Sequence, residues 1–238
     1  MKLRRVSIGA CLSLAAAILL AACSQSSRLN MQCLAGDLQR CRQLGDMYAA
    51  GNGVSQDFAR AASLYERVCD AGIAEVCNAL GEIYARVPGF ESEAKRVPAL
   101  YERACTAGSA NGCLNWGLLA SEGEDYEKAA GLFARACAGG TLAGCHYLAT
   151  SYEKGEGVDK DLAKAVALFE QACDGQHVES CLTLVRLFND GTETPADPTR
   201  VARYNAQLLQ VYADGCESGI ARDCRERDAL RTRLALGR

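Results

Sequence analysis

The sequence predicts an all-α protein made of repeated helical hairpins, and three observations support that prediction. Twelve of the fourteen cysteines form six pairs, each with seven residues between its two members. The first cysteines of successive pairs follow one another at steps of 36, 36, 32, 36 and 43 residues, which indicates an internal repeat. Leucine, aromatic and glycine residues recur around most pairs at spacings of three, four and seven, the period of a helix. The pairs are Cys33/Cys41, Cys69/Cys77, Cys105/Cys113, Cys137/Cys145, Cys173/Cys181 and Cys216/Cys224.

Residues 1–22 predict a secretory signal peptide, in which a basic start precedes an apolar run too short to span a membrane. The run ends in Leu-Ala-Ala before Cys23, which resembles the lipobox of bacterial lipoproteins. In that class the cysteine is joined to diacylglycerol and becomes the new N-terminus, so we expect Cys23 to be lipidated. Ser24 follows the anchor rather than aspartate, and by the rule for that class the protein would move on to the outer membrane, facing the periplasm of the bacterial cell envelope. The alternative is an ordinary signal peptide with a chance cysteine.

The rest of the chain divides into a short lipidated tether, residues 23–32, and a repeat domain, residues 33–238, that ends in a polar capping helix. Acyl chains on Cys23 would make the membrane a partner of the protein, because two or three chains anchor stably where one does not. The net charge is −3 and becomes more negative once the basic signal is removed. That balance disfavours nucleic acid and an anionic bilayer surface as direct partners.

A glycine three residues after the first cysteine marks the short turn of each hairpin, except that Gly175 stands one place early. Helices often end in a left-handed glycine, and a second helix carrying the second cysteine would begin a residue or two later. The two sulfurs of a pair would then lie within bridging reach, so we expect six structural disulfides in a secreted protein. Zinc is disfavoured, since seven intervening residues exceed the usual ligand spacing and the chain has only two histidines. We therefore expect no metal and no cofactor.

The longer turn of the repeat unit appears as two near-copies, residues 51–57 and 155–161. A glycine-rich loop could indicate phosphate binding, but the Gly-Lys-Ser/Thr ending is missing. The pattern instead predicts a glycine that ends one helix and an aspartate that caps the next. Residues 86–96 replace this loop in one unit, and Pro98 then requires the following helix to start near Val97 or to be kinked.

Residues 64–84 carry the pattern most completely: Leu-Tyr-Glu-Arg-Val-Cys-Asp-Ala-Gly-Ile-Ala-Glu-Val-Cys-Asn-Ala-Leu-Gly-Glu-Ile-Tyr. This segment resembles the Sel1-like repeat family and, more closely, its Hcp-type cysteine-rich secreted bacterial proteins; the resemblance covers nearly all of residues 33–224. It implies a right-handed α-solenoid of hairpins related to tetratricopeptide repeats, with one disulfide per hairpin. A solenoid of this type would offer a concave groove to a protein or peptide ligand. We expect the groove to be deepest where the repeats are irregular, near Asn78, Asn115 and His146.

The same resemblance brings an association with penicillin binding and weak β-lactam hydrolysis. Serine β-lactamases use Ser-x-x-Lys, and the chain has two matches, Ser92/Lys95 and Ser151/Lys154. Neither match is followed by Ser-Asp-Asn or Lys-Thr-Gly, so we predict no catalytic residue. The favoured function is a lipid-anchored scaffold for protein or peptide interactions in the bacterial cell envelope, near peptidoglycan. The alternative is a penicillin-binding or weakly β-lactamase-like hydrolase, for which the two Ser/Lys pairs are the candidates.

Overall fold

A computed structural model describes residues 25–191 and 194–236, and every regular element in those ranges is a helix. Residues 1–22 and the predicted lipidation site Cys23 lie outside the described residues. The chain divides into two compact units, residues 1–112 and 113–238. The helices are α1 (residues 25–34), α2 (Leu38–Ala50), α3 (Phe58–Asp70), α4 (Ala74–Arg86), α5 (Val97–Thr106), α6 (Ala110–Glu122), α7 (Tyr126–Ala138), α8 (Leu142–Lys154), α9 (Leu162–Asp174), α10 (Val178–Asp190), α11 (Pro198–Glu217) and α12 (Ala221–Leu236), with a 3-10 helix, η1 (Glu91–Arg96), before α5.

Within each unit, the helices for which packing is described lie against the next helix along the chain. In the first unit α2 packs on α3, α3 on α4 and α4 on α5. In the second unit the same order holds from α7 through α12. The all-α architecture of repeated hairpins that the sequence predicts is therefore confirmed.

The short turn of each hairpin is built as the sequence predicts. Five glycines adopt left-handed backbone angles, with φ between 86° and 99°: Gly36, Gly72, Gly108, Gly140 and Gly219. Where the glycine is one place early, at Gly175, the following residue Gln176 takes the left-handed position instead, with φ 73°. The turn therefore keeps its shape even where its residue is not glycine.

The cysteine pairs are disulfides that bridge these short turns. Their Cα atoms lie 4.5–4.8 Å apart, within the normal range for a bridge. Cys105 and Cys113 are disulfide-bonded as well. The bridges with a described geometry are Cys33–Cys41, Cys69–Cys77, Cys137–Cys145, Cys173–Cys181 and Cys216–Cys224.

The longer turns also follow the predicted pattern. Gly51 and Gly155 end their helices in the left-handed conformation, with φ 72° and 77°. Asp57 Oδ1 then accepts a hydrogen bond from the backbone N–H of Arg60 at 2.9 Å, and Asp161 Oδ1 accepts the corresponding bond at 3.0 Å. Each aspartate satisfies an N–H group that the helix itself leaves unpaired.

The irregular loop before Pro98 lets the following helix start at a point where a proline is tolerated. η1 fills the place of the regular turn, and α5 starts at Val97, which puts Pro98 in the first helical turn. A proline is tolerated there because its missing N–H would have had no helical partner. The predicted start near Val97 is confirmed.

Aromatic rings from one helix lie against glycines of the preceding helix, which explains the recurring Leu-Gly pair. A Cβ atom on Gly45 would lie 2.6 Å from Tyr65 Cε1, and one on Gly81 would lie 2.6 Å from the same atom of Tyr101. Since real Cβ atoms do not approach so closely, only glycine permits this packing.

The two ends of the described chain differ from the regular 13-residue helices. α11 has 20 residues and α12 has 16, and α12 carries mostly charged side chains on its surface. At the other end, the segment expected to be a tether is helical from residue 25 onward. Within the described ranges, no helix combines the length and the apolar character that crossing a bilayer requires.

Candidate functional site

A cation lies over an aromatic ring in five successive hairpins, always 12 residues after the ring. The distances from the cation to the ring centroid run from 4.4 to 5.3 Å. These pairs were not predicted from the sequence, although their fixed separation of 12 residues is visible in it. They are Tyr48/Arg60, Tyr84/Arg96, Trp116/Lys128, Tyr152/Lys164 and Phe188/Arg200.

These pairs close the longer turn of each hairpin, as the first one shows. Arg60 Nη1 donates a hydrogen bond to the Tyr48 hydroxyl at 3.1 Å, and its Nε lies 3.2 Å from Asp57 Oδ2. A cation–π contact at an exposed site contributes about 0.5–1 kcal/mol, so the arrangement stabilises the turn. Trp116 is half-buried beneath Lys128, whose Nζ lies 4.4 Å from the centroid of the ring.

An arginine two residues before the first cysteine joins each early repeat to the one before it. Arg67 Nη2 donates to the backbone carbonyl oxygen of Cys33 at 3.1 Å, and Arg103 Nη2 donates to that of Cys69 at 2.9 Å. These carbonyl groups belong to the last turns of helices, where the helix provides no donor of its own for them. These arginines were not predicted as contact residues, although their fixed position before the cysteine is visible in the sequence.

Three polar side chains of the second unit form a partly buried hydrogen-bonded chain. Ser180 Oγ lies 3.0 Å from His146 Nδ1 and 3.0 Å from His177 Nδ1. The backbone N–H of Ser180 also donates to His177 Nδ1 at 3.3 Å, so that nitrogen accepts and carries no proton. The serine hydroxyl then donates to His177, and His146 donates its Nδ1 proton to the serine oxygen. α8 and α10 are thereby tied together through Ser180.

Burial favours the neutral form of both imidazoles. Burial, with the neighbouring His177 adding to it, lowers the pKa of His146 from 6.5 to about 4. Burial also lowers the pKa of His177, which Glu179 partly opposes. Ser180 is completely buried, so its hydroxyl cannot reach a substrate. Within the described residues, no group of three or more His, Cys, Asp or Glu side chains could hold a metal ion.

The candidate pair Ser151/Lys154 does not form a lysine-activated serine. Ser151 is buried at 7% exposure in α8, while Lys154 Nζ lies 3.7 Å from Glu156 Oε1, outside the helix. Among the described contacts, Lys154 donates no hydrogen bond to Ser151. The serine is therefore out of reach of a substrate, and its lysine serves an ion pair at the turn.

The candidate pair Ser92/Lys95 is not assembled for catalysis either. Both residues lie in η1, and both are exposed on its surface. Ser92 Oγ lies 3.5 Å from Glu93 Oε1, and no hydrogen bond from Lys95 to Ser92 is present in the part of the chain that the structure describes. Lys95 is thus an exposed side chain in the last turn of η1, apart from the serine that it would have to activate.

The predicted groove residues lie largely within the packing. Asn78, in the first unit, is 5% exposed and donates to Glu82 Oε1 at 3.2 Å. Asn115, in the second unit, is 8% exposed, and His146 is half-buried in the chain with Ser180. Their assignment to a ligand groove stays a prediction.

The paired helices, the bridged turns and the rings seated on glycines define a class of protein, the helical-repeat scaffold. The family model described as Sel1 repeat matches residues 41–73, 110–141 and 142–177. The chain therefore carries Sel1 repeats, as its cysteine and glycine spacing predicts. No match was found among curated proteins.

Solved structures share this fold. A Sel1 repeat protein from Oxalobacter formigenes is 20% identical, over 76% of each chain, with a TM-score of 0.69. The protective antigen c5321 of uropathogenic Escherichia coli, which displays an SLR fold, is 21% identical over 82% of this chain and 44% of its own, with a TM-score of 0.71. Cysteine-rich protein B of Helicobacter pylori is 28% identical over 56% of this chain and 99% of its own, with a TM-score of 0.44. The first two likenesses support the Sel1-type solenoid fold.

Proposed function

We propose that this protein is a lipid-anchored scaffold that holds a protein or peptide ligand in the bacterial cell envelope. The observation that carries the proposal is the repeat architecture itself. Helical hairpins stacked in series build extended surfaces, and each hairpin here is fastened by a disulfide, a cation–π pair or both. The polar clusters that could suggest catalysis are either buried, as at Ser180, or unassembled, as in the Ser-x-x-Lys motifs.

The location and the anchor rest on the sequence and on the chemistry of cysteine. Leu-Ala-Ala before Cys23 fits a lipoprotein signal, and no other cysteine of the mature chain stands outside the six pairs. Disulfides persist in oxidising compartments such as the periplasm, so the bridged turns support an extracytoplasmic location. The lipid on Cys23 and the location at the outer membrane are parts of the proposal.

Two exposed apolar side chains give a direct test of ligand binding. Tyr147 in α8 and Leu182 in α10 stand near the starts of helices that carry second cysteines, and each is more than a third exposed. A photo-crosslinking amino acid at either position should yield a discrete protein or peptide adduct from intact envelopes. The matched control is the same amino acid at Gly131, an exposed position of α7 with no neighbour within 4 Å of its Cβ direction. Adducts of equal yield at all three positions, or no adduct at any, would contradict the scaffold function.

A further inference from the structure

The last hairpin of the second unit leaves a cleft open beside three helices. The cleft has a volume of about 520 Å³ and lies between the end of α10, the first half of α11 and the last turn of α12. Its walls are mostly apolar and include Phe188, Val201, Leu209 and Leu234. This volume falls within the range of about 300–1,000 Å³ that is usual for ligand-binding clefts.

The terminal repeat lacks an aromatic side chain that other repeats possess. Phe188 stands seven residues after the second cysteine of its repeat and is buried. The equivalent residue of α12 is Arg231, which is exposed. Val201 and Leu209 of α11 pack on the hydrophobic core but remain only half-buried. Apolar surface on these two side chains is therefore left for another molecule to cover.

A polar side chain, Asn205, lines this apolar cleft without a hydrogen-bond partner among the described residues. The residue is 7% exposed, and it stands between Val201 and Leu209 on α11. Every fully enclosed side-chain nitrogen or oxygen of the described protein has a partner, so the free atoms of Asn205 are those that the cleft can reach. A carboxamide offers one acceptor oxygen and an NH₂ donor, which matches the single donor and single acceptor of a peptide group.

The rim of the cleft is basic. Arg233 lines it, and no carboxylate of the described residues lies within ion-pair distance of this arginine. The described lining residues include no aspartate or glutamate. An unpaired guanidinium beside an apolar surface favours an occupant that carries a carboxylate.

We propose that this cleft binds an extended peptide segment of a partner protein in which an apolar side chain stands next to a carboxylate. The apolar side chain would fill the space against Val201 and Leu209. A backbone peptide group would pair with the Asn205 carboxamide, and the carboxylate would lie on Arg233. This inference rests on the proposed scaffold function. It adds the cleft to that function as a second binding site and specifies the chemistry of the ligand.

The position of Asn205 favours a peptide over a fatty acid or another amphiphile. An alkyl chain whose carboxylate lay on Arg233 would cover Asn205 and leave its carboxamide unpaired in an apolar contact. Burying an unpaired polar group costs free energy, whereas a peptide backbone satisfies it.

The test is to select random heptapeptides, displayed on phage, against the oxidised mature protein. Enriched peptides should contain an apolar residue beside aspartate or glutamate. Synthetic copies should lose at least tenfold in affinity, measured by fluorescence anisotropy, for Asn205→Leu and for Arg233→Glu. Arg225→Glu is the matched control, since Arg225 is exposed on the same helix and does not line the cleft.

Far-UV circular dichroism would show whether the variants fold. Arg233 is exposed, so Arg233→Glu keeps the test decisive even if Asn205→Leu does not fold. Three results would overturn the proposal: no peptide of this kind is enriched, the selected peptides bind all variants equally, or oleate or a second copy of the chain occupies the cleft instead. Crosslinking at Tyr147 and Leu182 distinguishes the scaffold function from the peptide site in the cleft. An adduct at these positions without peptide binding in the cleft would support the scaffold function and reject only the peptide site.

Discussion

Arg67 reaches back across 34 residues to donate a hydrogen bond to the carbonyl oxygen of Cys33, a cysteine in a disulfide of the preceding repeat. Its second guanidinium nitrogen lies 3.3 Å from Cys33 Sγ. The contact joins two consecutive repeats at the turn where the bridge lies. It therefore couples the bridged turn of one hairpin to the helix packing of the next.

Replacing this arginine should loosen the junction between the first repeats. Arg67→Ala should lower the free energy of unfolding by about 1 kcal/mol, because a charged donor to a helix-end carbonyl is lost from a partly exposed site. Arg86→Ala is the control, since Arg86 is exposed at the end of α4 and no ion pair is described for it. Urea unfolding of the oxidised protein would measure both, and equal midpoints for the two variants would contradict the coupling.

Two glycine substitutions should act in opposite directions. Gly45→Ala should destabilise the protein by about 1–3 kcal/mol, because its new methyl group would overlap the Tyr65 ring. Gly131→Ala meets nothing within 4 Å on an exposed helix face and should stabilise by up to about 1 kcal/mol through helix propensity. Thermal melts of the two single variants decide the matter, and a stabilising Gly45→Ala would show that the ring moves aside at no cost.

Mild acid should weaken the second unit. The pKa of His146 is about 4 in the folded state and 6.5 ordinarily, so the unfolded chain takes up the proton first as the pH falls. Stability should be full above about pH 6.5 and should decline as the pH falls toward 4. Between pH 7.5 and pH 5 we expect a loss of about 1 kcal/mol, after allowing for the exposed part of the ring.

The control for this pH effect is His146→Gln, whose amide can still donate to Ser180 but does not titrate. Urea unfolding at the two pH values should show a smaller loss for this variant. If the free energy of unfolding depends on pH as strongly in the variant as in the parent, the acid sensitivity lies elsewhere in the protein.

Loss of the predicted lipid anchor should release the protein. Cys23→Ala should leave an unprocessed or soluble precursor, since the described helices include none that can span a membrane. Metabolic labelling with a fatty-acid analogue, followed by membrane fractionation, measures this. Equal labelling of the parent and the variant would refute lipidation at Cys23, and Ser24→Ala, which keeps the cysteine, serves as the control.

The bridges should differ in importance along the chain. A disulfide closing a loop of this length contributes about 2–3 kcal/mol in the chain-entropy model. Replacing Cys105 and Cys113 together by serine should lower the melting temperature more than replacing Cys216 and Cys224, because a middle repeat supports neighbours on both sides. If the first double variant melts no lower than the second, an irregular middle repeat is not the weak point of this protein.

The fold was predictable because each helix end and each short turn is determined by residues close together in the sequence. Gly51 and Asp57 each determine one end of a helix, and cysteines eight positions apart can meet only across a short turn. The contacts that join repeats were harder to predict. The Tyr65 ring packs against Gly45, and Arg67 donates a hydrogen bond to Cys33. Both contacts depend on how one hairpin is placed against the next, and the pattern of a single helix does not contain that information.

The candidate sites were less predictable still, for a physical reason. His146 was a candidate groove residue, yet its environment depends on Ser180 and His177, more than 30 residues away. The cleft at Asn205 is lined by residues of α10, α11 and α12. It therefore depends on how three helices are placed together, which the pattern of a single helix does not contain.

Every described disulfide joins the two cysteines that flank one short turn. This local pairing determines the order in which the cysteines can be oxidised. Partners stand 8 positions apart, whereas Cys41 and Cys69 of neighbouring pairs are separated by a loop more than three times as long. Closing the longer loop costs about 1 kcal/mol more in chain entropy, so the native partner is also the kinetically favoured one. Each hairpin can therefore complete its bridge as soon as its own residues have entered an oxidising compartment, before later cysteines follow to compete. The chain can mature one hairpin at a time, from the N-terminus onward, with little need for a disulfide isomerase.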